Sequence, residues 1–162
     1  MRIQRTTAIN YQQRPESMRI SFDRERLQAY QSALQFARWS EPVLEKLPKT
    51  IAVYSQLDRA RTSIVLNIAE GNAKFTPPDK CKYFDTAHGS AVECAACLDL
   101  LFIKQALVET ELDAGKKTLS EVVGLLVGLI KSKLPDRFRE EPPEYRVDGE
   151  SKSERISRSE SL

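Results

Sequence analysis

The sequence predicts an all-α chain, an antiparallel up-down four-helix bundle that oligomerises. Three observations carry that expectation. Apolar residues recur at spacings of three and four through the middle of the chain, and no strand-like alternation competes with them. Proline and glycine punctuation divides that middle into four segments. The last segment contains "VVGLLVGLI", nine residues without a polar side chain, where a bundle helix should show a polar back.

The first helix is expected from Ser21, a candidate N-cap followed by Asp23 and Glu25 in the dipole-favoured first turn, to about Leu47. Pro42 should kink or restart it after Ser40. The second runs from Pro48 to Gly71, where glycine suits a left-handed C-terminal cap, with Val53, Leu57, Ala60, Ile64 and Ile68 as its apolar stripe. Arg61 falls at the edge of that stripe and should snorkel or pair with an acid of the third helix.

The third helix opens with "TPPD": Thr76 as N-cap, Pro77 at the first helical position and Asp79 completing a capping box. Its stripe is Phe84, Ala87, Ala91, Cys94, Leu98 and Leu101. The fourth lies between Asp113 and Lys133. Being apolar nearly all round, it is expected to cover part of its surface with another copy, through Val122, Leu125 and Leu129, with Gly124 and Gly128 allowing close approach. Burial at the centre of its own bundle is the alternative.

The 162 residues suffice for one compact domain with tails. Residues 1–20 hold four arginines against one glutamate and read as a basic flexible arm; residues 21–139 are the bundle. Residues 140–162 carry seven acids against four bases and end Ser-rich, which reads as an acidic disordered tail. A net charge of +2 excludes a global field, so any nucleic-acid function must reside in a local patch. The N-terminus lacks a signal peptide's apolar run, and no run of about 18 apolar residues spans a bilayer, so a cytoplasmic chain without membrane contact is expected. Three cysteines fit free thiols in a reducing compartment.

Most constellations that suggest chemistry fail on geometry, and neither a catalytic site nor a metal or cofactor is expected. Cys81, His88, Cys94 and Cys97 resemble a zinc set, yet on one helix Cys81 and Cys94 lie about 20 Å apart. The Cys94–Cys97 pair sits mid-helix, away from the N-terminal dipole that activates redox thiols. The lone His88 has only neighbours of its own helix to work with. "DAGKKT" (113–118) lacks the first glycine of a phosphate loop, Thr110 standing there, and reads as a turn.

What remains is charge asymmetry. Residues 38–82 hold eight Lys/Arg against five acids, whereas 83–121 hold three against seven. Arg38, Lys49, Arg59, Lys74, Lys80 and Lys82 are therefore candidate phosphate contacts for RNA or DNA, with an ordinary solvated face as the alternative.

The stretch "QLDRARTSIVLNIAEGNAKFTPPDKCKYFDTAHGSAVECAACLDLL", residues 56–101, resembles the signature of the small bacterial four-helix-bundle family encoded in intervening sequences of large-subunit ribosomal RNA genes. The matching positions are Gln56-Leu57, Arg59-Ala60, Ser63-Ile64, Asn67-Ile68-Ala69-Glu70-Gly71, Ala87-His88-Gly89-Ser90 and Glu93; Arg61 and His88 depart from the pattern. Within it, Asn67 and Glu70 are expected to face the Gly89-Ser90 step, fixing register between the second and third helices. The resemblance implies a non-enzymatic bundle, ring-like pentamers and association with RNA. A relative of similar fold is the accessory variability determinant of diversity-generating retroelements, which implies a reverse transcriptase as another possible partner.

Overall fold

The structure is a computed structural model that describes residues 23–138. The N-terminal arm 1–20, the Ser21 cap and the tail 140–162 lie outside the described residues. Four α-helices follow a short 3-10 turn at Asp23–Arg26: α1 (Gln28–Lys46), α2 (Ala52–Ala73), α3 (Pro77–Ile103) and α4 (Glu109–Lys133), then a second 3-10 turn at Pro135–Phe138. No strand occurs among the described residues.

Register contacts show the up-down order. As the α2 partner moves from Arg59 to Ser63 to Gly71, its α3 partner moves back from Glu93 to Ser90 to Phe84. Between α1 and α4, Ser32 donates to Glu121 at 2.9 Å and Lys46 pairs with Glu111 at 3.3 Å. Helices adjacent in sequence pack antiparallel, and α4 closes the square against α1.

Every residue of the two expected stripes, on α2 and on α3, is buried. They meet Ala29, Ala33, Phe36, Val43 and Leu44 of α1 and Leu119, Val122, Leu126 and Ile130 of α4 in one core. Phe36 also stacks on the half-buried Trp39, ring centroids 5.7 Å apart. By length and composition α3 is apolar enough to cross a membrane, with a mean hydropathy of 1.3 over its best window. Here its apolar stripe is the bundle core.

Several local expectations are corrected. Pro42 does not restart α1; the helix continues through it, losing one backbone bond while Phe36, Val43 and Leu44 anchor both sides. Helix α2 begins at Ala52 because Pro48 to Thr50 form a turn, closed by the Ile51 N–H on the Pro48 carbonyl at 3.2 Å. Gly71 does not take a left-handed cap: no described glycine has positive φ, and the helix runs two residues beyond it. It is a close-approach glycine, where a Cβ would stand 2.8 Å from Phe84 Cε1.

The "DAGKKT" segment is helical rather than a turn. Helix α4 starts four residues before Asp113, with Glu109 and Glu111 in its first turn and the Glu111 carboxylate accepting the Val108 N–H at 3.1 Å. Val108 has no side-chain acceptor, so this is half a capping box. Gly115 inside that segment is buried, and a Cβ there would lie 2.7 Å from both Trp39 Cζ3 and Leu98 Cδ1.

The apolar run of α4 divides by face. Val122, Leu126 and Ile130 are buried in their own bundle, so Val122 has no surface for a second copy. Leu125 and Leu129 are half-buried, whereas Gly124 and Gly128 are exposed with nothing within 4 Å of a would-be Cβ.

Candidate nucleic-acid interface

The six candidate cations do not converge on one surface. Lys49 precedes α2 and Lys74 follows it, so 22 helical residues, about 33 Å, separate them. Arg59 is drawn to α3, where it donates to Glu93 at 2.9 Å and also to Gln56 of its own helix at 2.6 Å. Arg38 on α1 and Lys82 on α3 are exposed. Lys82, two positions after Lys80, points roughly 200° away from it around the helix axis.

Lys74 and Lys80 do come together. The three-residue connection from α2 to α3 folds tightly: the Lys74 N–H bonds the Gly71 carbonyl at 3.2 Å, and the Asp79 N–H bonds Thr76 Oγ1 at 3.3 Å. The Asp79 carboxylate accepts the Thr76 hydroxyl at 2.6 Å instead of a backbone N–H, a variant of the expected capping box. With Arg24 from the turn before α1, the two lysines line an open hollow of about 460 Å³ whose other walls are Ala69, Asn72, Ala73 and Phe75.

Each cation is placed by the fold. Lys80 Nζ donates to the Asn72 carbonyl at 2.9 Å, capping the end of α2 from α3. Lys74 Nζ lies 4.6 Å from the centre of the Tyr83 ring and 3.3 Å from Glu70. Hydrogen bonding to Tyr83, then to Glu70, holds the Lys74 ammonium above its ordinary range. Bonding to Tyr83, then to Lys74, holds Glu70 below its own. Arg24 lies 6.0 Å over the Tyr30 ring.

Charge follows the same axis over the whole bundle. At the end containing the hollow, residues 23–26, 70–85 and 131–138 hold eight Lys/Arg against six acids. At the opposite end, residues 41–49 and 99–116 hold four against six.

The polar motif is arranged differently from the expectation. Asn67 turns back on its own helix, donating to the Ser63 carbonyl at 2.8 Å and to Ser63 Oγ at 3.0 Å. Ser63 Oγ then meets Ser90 Oγ at 2.8 Å, and Ser90 donates to the Thr86 carbonyl at 3.0 Å. Two hydroxyls and the Arg59–Glu93 pair therefore link the middles of α2 and α3, while Glu70 stays exposed beside Lys74 and Tyr83. Gly89 is exposed with no neighbour near a would-be Cβ; the close approach is at Gly71.

Arg61 pairs with α1, not α3. Its side chain is 14% exposed, and the guanidinium binds Glu41, forks onto Asp58 at 2.8 and 3.0 Å, and reaches the Ala37 carbonyl at 3.3 Å. Burial works against this charge, and the Glu41 and Asp58 carboxylates outweigh it, so Arg61 is held above its ordinary value.

The three cysteines are buried free thiols. Burial, then the neighbouring Cys97 and Glu93, pushes Cys94 up to about 12, and burial raises Cys81 and Cys97 as well. No cluster of three metal-ligating side chains occurs among the described residues.

A solved structure from Bacteroides thetaiotaomicron, a protein of unknown function from the S23 ribosomal protein family, shares this fold with a TM-score of 0.60 and 24% identity. The match covers 64% of this chain and 98% of that chain. A comparison with curated proteins gives no match. Residues 25–128, the bundle up to the exposed glycines of α4, match the family model of the 23S rRNA-intervening sequence proteins, and the chain belongs to that family.

Proposed function

We propose that this chain is a non-enzymatic, oligomeric scaffold that binds structured nucleic acid, RNA foremost, through the basic end of its bundle. The observation that supports it is the grouping of Lys74, Lys80 and Arg24 around one open hollow at the more basic end. Phosphate recognition needs cations held in place by the fold: Lys80 is bonded to Asn72, Lys74 is paired with Glu70 over the Tyr83 ring, and Arg24 lies over the Tyr30 ring. Membership of a family described by a ribosomal RNA intervening sequence favours RNA as the partner. Arg38, Lys49 and Lys82, spread over other surfaces, add phosphate contacts only if the nucleic acid wraps the bundle.

Self-association proceeds through the open side of α4, with Gly124, Leu125, Gly128 and Leu129 in contact and a pentameric ring as the form the resemblance implies. A second reading is a protein-interaction scaffold, for which exposed Leu66, Val92 and Leu100 on α2 and α3 offer apolar surface; a reverse transcriptase is the partner that the resemblance implies.

Light scattering of the full chain with and without a short structured RNA, at about 50 and 200 mM salt, tests the proposal. The expected result is an oligomer that takes up RNA at low salt and releases it at the higher one, since phosphate contacts expel counterions. A stable oligomer indifferent to RNA would move the assignment to a protein partner. A monomer would remove the oligomeric part.

A further inference from the structure

Phe75 is 97% exposed, the most exposed large apolar residue among those described. It stands in the α2–α3 connection between Lys74 and the Thr76 cap, inside the hollow also lined by Arg24 and Lys80. Resting on the nucleic-acid reading above, we propose that this hollow takes unpaired nucleotides, with a base stacked on the Phe75 ring and the flanking phosphates held by Lys74, Lys80 and Arg24.

The aromatic ring has no part in the core: almost all of its surface meets solvent, so packing does not account for it. Its backbone, in contrast, is fixed on both sides. The Lys74 N–H is tied to Gly71, Thr76 caps α3, and Pro77 and Pro78 stiffen the exit. A ring on a rigid, three-residue connection is presented at little ordering cost, as a stacking platform requires.

The chemistry of the rim matches a nucleotide rather than an apolar ligand. Lys80 spends one of its three N–H donors on the Asn72 carbonyl, leaving two for a phosphate. Lys74 is pulled toward Glu70, which an entering phosphate replaces as its anion. A base inside a duplex has both faces covered by its neighbours, so Phe75 adds to binding only where bases are unstacked, in loops, bulges or single strands.

The test is fluorescence anisotropy on the full chain, with a labelled 12-nucleotide RNA lacking self-complementarity and the 12-base-pair duplex of the same sequence, at about 100 mM salt. The wild type should favour the single strand over the duplex by about tenfold or more. Phe75→Ala should weaken single-strand binding by about tenfold, the lower part of the range for one lost base–aromatic stack. It should leave the duplex affinity and the salt slope unchanged. Phe75→Trp should restore binding, and Lys74→Gln with Lys80→Gln should weaken both forms and flatten the salt slope. Phe75 touches little else, so an unchanged melting curve is expected to accompany its variants. Equal binding of the two RNA forms with an inert Phe75→Ala overturns this inference and leaves the RNA scaffold standing. Binding of neither form overturns both.

Discussion

Gly115 lies where three helices crowd together, with Trp39 of α1 and Leu98 of α3 both within reach of a missing Cβ. Gly115→Ala is expected to lower stability by about 1–2 kcal/mol by chemical denaturation, because overpacking exceeds the helix propensity gained. Arg61→Ala, which unties α1 from α2, should cost about 1–3 kcal/mol, and Arg61→Lys should recover less than half of that because an ammonium cannot fork. Cys94, pushed up to about 12, should resist alkylation in the native protein at pH 8 and react on addition of denaturant; fast native labelling would contradict its burial. At this scale the sequence was partly legible. The buried stripes were visible, and so was the need of Arg61 for a partner. Which helix supplied that partner was not, because a side chain at the edge of a stripe has neighbours on two sides. Gly71, Gly89 and Gly115 look alike in one dimension, and only the rotation of each helix about its axis decides which of them meets a neighbour.

Helix ends show where local signals suffice. The "TPPD" start of α3 is legible in the sequence because cap, prolines and acid all lie within four residues, and Thr76→Ala should cost about 1 kcal/mol. The start of α4 is not legible in the sequence because its signal, Glu109 and Glu111 behind an uncapped Val108, lacks a polar N-cap residue. The preceding connection contains Gln105 at φ 58°, a left-handed position usually given to glycine. Gln105→Gly should therefore raise stability by about 1 kcal/mol, and unchanged melting would show that the position is not strained. Gly124→Ala and Gly128→Ala bear on the open side of α4. With empty space around each Cβ, each substitution should add about 1 kcal/mol to the stability of a lone bundle. If copies pack closely along this face, the same substitutions should dissociate the oligomer in light scattering instead.

The bundle as a whole is held by a core common to all four helices and by a few polar links across its seams. Two of its carboxylates have folded pKa values below their ordinary 4.5. Glu70 is lowered by Tyr83 and Lys74, and Glu111 by the Val108 N–H and Lys46. A lowered folded value means that the ionised form favours the fold. That contribution is complete above about pH 4.5 and is lost as pH falls through the lowered values. The melting temperature should therefore drop below pH 4.5, and Glu111→Gln should flatten that drop. Topology was legible at this scale because four periodic segments with short connections leave few arrangements. The candidate interface was legible only as a list of cations. Bringing Lys74 to Lys80, and removing Lys49 by the length of α2, required the helices to be assembled. Phe75 carried no signal in the sequence because an apolar residue beside a turn is ordinary until its exposure is known.

Lys80 closes the last turn of α2 with a bond that crosses from one helix to the next. On the proposed reading the same ammonium also meets a phosphate, so occupancy and helix fraying share a single side chain. The bundle thereby contains its own occupancy reporter. A phosphate on its two remaining donors fixes Nζ over the Asn72 carbonyl, and amide hydrogen exchange around residues 72–75 should slow on binding while the core amides are unchanged.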